Sequence, residues 1–165
     1  MSWINGIEAA TPIEGLLGHR PELLSRYKAF YSALWEDGLL PRRVLELCRL
    51  RIAAIHGCTQ ESVVRDSEVT LSPSEVAALN AGDLEGFTPA ERCALAIAGR
   101  FPFDHHAVDD AAVGKAKAEF GSRATVALMV ALAFFDVTCR WKLAFDLDAQ
   151  PAVVDSPPLR DGSLA

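Results

Sequence analysis

Cys58, Glu61, Ser62 and Arg65 stand three and four residues apart in the stretch CTQESVVR. In a helix that begins near Cys58, this spacing sets a thiol, a carboxylate and a guanidinium on one face. A helix start and a neighbouring cation both stabilise a thiolate, so Cys58 reads either as a reactive sulfur or as a small residue packing a turn. Glu61 and Arg65 read either as pocket groups or as an ordinary i,i+4 ion pair worth about 0.3–0.5 kcal/mol. Glu46, twelve residues before Cys58, sits among Leu45, Leu47, Leu50 and Ile52. It is either half-buried and suited to proton transfer or paired with Arg42 or Arg49. His56 supplies an imidazole two residues from the thiol, either as a proton shuttle or in a packing role.

These residues need a frame, and the hydrophobic period supplies one. Val44, Leu47, Leu50, Ile52 and Ile55 mark a helix that opens after Pro41 and stops at Gly57, where a residue without Cβ can take the left-handed conformation. Before it, Leu23, Leu24, Tyr27, Phe30, Tyr31, Leu34 and Trp35 recur at helical spacing from Pro21 to Gly38. This is an aromatic stripe for a core or a subunit contact. Ser72-Pro73-Ser74-Glu75 and Thr88-Pro89-Ala90-Glu91 both read as capping boxes with proline at the first helical position. A loop at 101–106 precedes a helix over 109–120 closed by Gly121. A last helix, from Arg123 to about Phe145, is apolar nearly all round at first. No stretch alternates as a strand does, so the fold class is all-α, with an arm over residues 1–20, a helical domain over 21–148 and an extended or disordered tail over 149–165.

Composition narrows the function. The chain has 165 residues, half of them hydrophobic, and a net charge of −6. One core-forming domain fits that length, and scattered cations on an acidic chain speak against nucleic acid as a partner. The longest apolar run, 124–135, is shorter than the ~20 residues of a membrane span. The N-terminus lacks an export pattern, which predicts a cytoplasmic protein. Cys48, Cys93 and Cys139 fall inside apolar helical patterns, as buried free thiols do. The His105-His106 doublet has no companion at metal-ligand spacing, so neither a metal nor a cofactor is predicted.

Three features resemble the carboxymuconolactone decarboxylase and AhpD-like alkylhydroperoxidase superfamily: RxLELxRLRIAAIHGC over 43–58, Glu61 three residues after Cys58, and AFFDVTCRW over 133–141. The resemblance covers roughly residues 20–148. It implies an AhpD-like helical bundle that assembles as a dimer, trimer or hexamer, and Glu46 fills the place of the family's glutamate before the GC pair. Peroxidase members read C-x-x-C-x-x-x-H. Here Glu61 takes the second cysteine's place and Arg65 the histidine's, so a sulfenic acid on Cys58 finds no partner within the motif. Decarboxylase members read C-x-x-E-W-x-x-H, which Glu61 matches and Ser62 and Arg65 do not.

The resemblance therefore implies a decarboxylase-like protein that acts on or binds a small carboxylate or lactone, with little dithiol peroxidase activity. Glu46, Cys58 and Glu61 would be its catalytic groups, and Arg65 and His56 would hold the ligand. Two alternatives stand beside it: a thiol peroxidase using Cys58 with an external resolving thiol, and a non-catalytic binding or scaffold protein on this fold.

Overall fold

The computed structural model describes residue 4 and residues 7–147; the expectation for the tail lies outside them. Among the described residues there is no strand, and seven α-helices follow in order: α1 Pro12–Leu17, α2 Pro21–Glu36, α3 Arg42–His56, α4 Thr59–Ser62, α5 Pro73–Ala81, α6 Pro89–Arg100 and α7 Asp110–Ala144. The centre is a three-helix unit in which α3, α6 and α7 pack on one another. Leu47, Cys48, Ile52 and Ala53 of α3, Ala94, Leu95 and Ala98 of α6, and Leu128, Ala131 and Leu132 of α7 are almost wholly buried. Each of the leucine and isoleucine side chains among them contributes on the order of 1.5–3 kcal/mol of hydrophobic burial.

The aromatic stripe of α2 resolves into core. Tyr27 meets Phe134 at 5.2 Å between ring centroids and Trp35 meets Phe135 at 6.0 Å, tilted pairs of the kind aromatic rings favour. Leu23 and Phe30 at its edge stay exposed. The arm over residues 1–20 contains more structure than its glycines suggest. Thr11-Pro12-Ile13-Glu14 is a third capping box, it starts α1, and it delivers Ile13 and Leu16 to the core.

All three boxes share one further property. In each, one carboxylate oxygen of the glutamate closes the cap on the backbone, at Thr11, Ser72 or Thr88. The other oxygen takes a cation from elsewhere: Glu14 takes Lys28 at 2.9 Å, while Glu75 and Glu91 both take the guanidinium of Arg43 on α3.

Two of the four described glycines at positive φ shape the frame of the site. Gly57, at φ 61°, ends α3 and lets the N–H of Cys58 return to the carbonyl of Ala53 at 2.9 Å. Gly121, at φ 78° and ψ 166°, breaks α7 where the sequence predicts one helix to close. By length and composition α7 is long and apolar enough to cross a membrane, which counting only the unbroken apolar run overlooks. Beyond Gly121 it delivers Ala124, Leu128, Ala131, Leu132, Phe135 and Cys139 to the core.

Candidate functional site

Arg49, 3 % exposed, sits in the middle of α3 and organises the polar interior. Its Nε and Nη2 donate to Glu46 at 2.8 and 2.9 Å, and its Nη1 donates to the carboxylate of Glu61 at 2.6 Å. The two remaining N–H groups donate to the carbonyls of Glu61 and Val64, at 2.8 and 2.7 Å. All five guanidinium donors are thereby satisfied, which a buried arginine requires. Lys142 on α7 completes the cluster by donating to the other oxygen of Glu61 at 2.5 Å. Two carboxylates thus face two cations out of water. Burial opposes ionisation of Glu61, but Lys142 and then Arg49 outweigh it and hold the carboxyl down at about 2. Tyr31 borders the cluster, and burial followed by the Glu61 charge pushes its phenol up.

Cys58 lies in the turn between Gly57 and α4, with its side chain buried. Its Sγ is 3.5 Å from Oε1 of Gln60, and the amide nitrogen of Gln60 donates to the carbonyl of Leu147 at 2.6 Å. Cys139 on α7 faces it, between the contacts of His56 with Asp136 and of Glu61 with Lys142. Hydrogen bonding from the Cys139 thiol brings the Cys58 thiol below its ordinary range against the opposing effect of burial, with help from the N–H of Glu61 and from Lys142. The other three thiols move the opposite way, Cys48 and Cys93 by burial and Cys139 first by its bond to Cys58.

One expected element is shorter than the spacing implies. The helix predicted to carry Cys58 through Arg65 on one face is α4, four residues long, and it ends at Ser62. In a continued helix the N–H of Arg65 would bond to the carbonyl of Glu61, but that carbonyl accepts from Arg49. Arg65 therefore falls in the following loop, where its guanidinium donates to the carbonyls of Ser62 and Val64. The structure brings Glu46 and Glu61 together through Arg49, sets Cys58 three residues before Glu61, and leaves Arg65 to backbone groups.

His56 pairs with Asp136 on α7 at 2.6 Å, and Arg140 holds the other oxygen of that aspartate at 2.9 Å. Three pairs, His56 with Asp136, Cys58 with Cys139 and Glu61 with Lys142, accordingly bridge the end of α3 and α4 to one face of α7. Sequence reasoning missed the α7 members, although Asp136, Cys139 and Lys142 recur every three residues, a spacing that shares a helix face. A cavity of about 630 Å³ lies elsewhere, between α6 and the first part of α7, lined by Arg92, Cys93, Arg100, Lys115 and Glu119 among others. None of Glu46, Cys58, Glu61 or Arg65 lines it.

The family model for the carboxymuconolactone decarboxylase family matches residues 21–99, which hold α2 to α6 and so Glu46, Arg49, Cys58 and Glu61. No curated protein matches the sequence. Among solved structures, a protein of unknown function from Agrobacterium tumefaciens, with AhpD-type antioxidant defence as its candidate role, is similar at a TM-score of 0.72. It is 20% identical, over 91% of this chain and 99% of that one. A cysteine-to-alanine variant of the debrominase Bmp8, in complex with 2,3,4-tribromopyrrole, is similar at a TM-score of 0.67. It is 16% identical, over 84% of this chain and 76% of that one. At these identities the two structures speak for the helical frame, and the similarity to the carboxymuconolactone decarboxylase family is carried by residues 21–99.

Proposed function

We propose that the chain is a thiol-dependent reductase of small hydroperoxides, with Cys58 as the reactive sulfur. The observation that carries this is the contrast among the four cysteines: Cys58 alone is stabilised toward the thiolate, the form that attacks a peroxide oxygen. The AhpD-type candidate role of the Agrobacterium protein supports the reading. A reducing compartment would suit it, because it supplies the thiols that restore Cys58.

The other reading is a decarboxylase-like protein that acts on or binds a small carboxylate or lactone, and it rests on the matched family. It needs a general base near neutral pH, and Glu61 held at about 2 is a weak one. Its expected anion holder, Arg65, lies in the loop after α4, where its Nη1 donates to the carbonyls of Ser62 and Val64, and not on a helix face shared with Cys58 and Glu61.

Peroxide consumption with a small dithiol as reductant is the test, run beside limited alkylation and peptide mass mapping. The parent should consume tert-butyl hydroperoxide, Cys58→Ser should not, and Cys58 should be the first thiol alkylated. Equal consumption by Cys58→Ser, or first labelling of another cysteine, refutes the reading.

We also propose a homo-oligomer. Phe30 on α2 is 43% exposed and Val126 on α7 is 63% exposed, large apolar side chains of a kind that a subunit contact covers. Light scattering at micromolar concentration should give a multiple of the chain mass. A clean monomer would count against it.

A further inference from the structure

We infer that Cys139 is the resolving thiol of Cys58, so that the two form an intramolecular disulfide joining the α3–α4 turn to α7. This rests on the reading of Cys58 as the peroxide-reactive sulfur and supplies what its motif lacks. The position that would hold a close-spaced second cysteine is Glu61, and its carboxylate is held by Arg49 and Lys142. The partner comes instead from 81 residues further along, on another helix.

The geometry suits a dithiol. Both side chains are buried in one core, at 0% and 1% exposure, and the contacts of His56 with Asp136 at 2.6 Å and of Glu61 with Lys142 at 2.5 Å hold the α3–α4 turn against α7 on either side of the pair. A sulfenic acid formed on Cys58 would meet the Cys139 sulfur before it met bulk water or a second peroxide, which favours a disulfide over irreversible oxidation. The influence of Cys58 and then burial push the Cys139 thiol up while the Cys58 thiol is brought down, so Cys58 is the better nucleophile of the pair and Cys139 the better proton donor. The backbone can close the gap, since Cys58 lies between a glycine in the left-handed region and a helix of four residues. Gln60, whose side chain reaches from Cys58 to the carbonyl of Leu147, is the group an entering peroxide would displace.

The step balances. The Cys58 thiolate attacks the terminal oxygen of the hydroperoxide; an S–O bond forms, the O–O bond breaks, and the alkoxide leaves. The alkoxide takes the proton of the Cys139 thiol and departs as the alcohol. The Cys139 thiolate then attacks the Cys58 sulfur, the S–S bond forms, the S–O bond breaks, and hydroxide is released. The two sulfurs are oxidised, the peroxide is reduced, and a small dithiol returns the pair to thiols by exchange.

The test treats the reduced full-length protein with one equivalent of tert-butyl hydroperoxide, blocks remaining thiols, and maps peptides without reduction. The expected result is a cross-linked peptide holding Cys58 and Cys139, with the protein lighter by two hydrogens. Cys139→Ser and Cys139→Ala should instead accumulate a sulfenic acid on Cys58 that dimedone traps, and Cys93→Ser should form the disulfide like the parent. Cys58 oxidised without Cys139, whether as sulfenic acid or paired with another thiol in the parent, overturns the resolving role and leaves the peroxide reading intact. Cys58 unoxidised in the parent overturns the peroxide reading itself, and the role of Cys139 with it. The parent's map decides the matter even if a variant at the buried position folds poorly.

Discussion

Replacing Arg49 with methionine should destabilise the fold by about 3–5 kcal/mol, the cost of removing one partner from a buried ionic network. Methionine fits the space of the aliphatic stem but leaves Glu46 without the cation that holds both its oxygens, and it halves the compensation of Glu61. It also strands the carbonyls of Glu61 and Val64, each of which accepts from the guanidinium. A denaturant titration of parent and variant measures the difference directly. Arg49→Lys separates charge from shape: an ammonium keeps the charge but cannot span two carboxylates and two carbonyls as the planar fork does, so it should recover only part of the loss. A change under about 1 kcal/mol for the methionine variant would put the network in the class of weak, solvated pairs and contradict its burial.

The second large effect is a loss of stability in acid. The folded carboxyl of Glu61 lies at about 2, below its ordinary value of 4.5, so the folded state holds fewer protons than the unfolded chain between those values. The stabilisation is therefore fully present above pH 4.5 and is lost as the pH falls through 2. A gap of that width corresponds to roughly 3 kcal/mol. Glu75 and Glu91 are also held low by their caps and by Arg43, so the parent's acid limb is a composite. The difference between parent and Glu61→Gln isolates one carboxylate: a gap of roughly that size at pH 6 should close as the pH falls toward 2. A gap that stays constant across the window would mean that Glu61 is not the ionised partner of Lys142 and Arg49.

The sequence carries most of the frame and only part of the site. Helix boundaries at Pro21, Gly57, Pro73 and Pro89 are legible because proline, glycine and capping boxes act within four residues of themselves. Thr11-Pro12-Ile13-Glu14 carries the same signal inside the arm. The site depends on contacts no local rule predicts. Arg49 looks like one of several arginines on an amphipathic helix, and only the tertiary fold turns it inward to take the carbonyl that would otherwise extend α4. That capture is why Arg65, correctly spaced for a shared helix face, sits in a loop. Cys139 is invisible for a related reason: an apolar helical setting reads as packing, and its partner lies on a different helix.

The paired use of the capping glutamates bears on how the bundle assembles. A glutamate that closes a cap has its side-chain torsions fixed by a contact within its own first turn, before any distant partner arrives. Freezing such a long side chain otherwise costs up to roughly 2 kcal/mol of conformational entropy. Glu75 and Glu91 therefore present to Arg43 an oxygen whose direction is already set, and α5 and α6 dock on α3 with less left to immobilise. Glu14 offers the same advantage to Lys28 at the junction of α1 and α2. Local order formed at three helix starts is thus handed on as preorganisation for contacts that span up to 48 residues of chain.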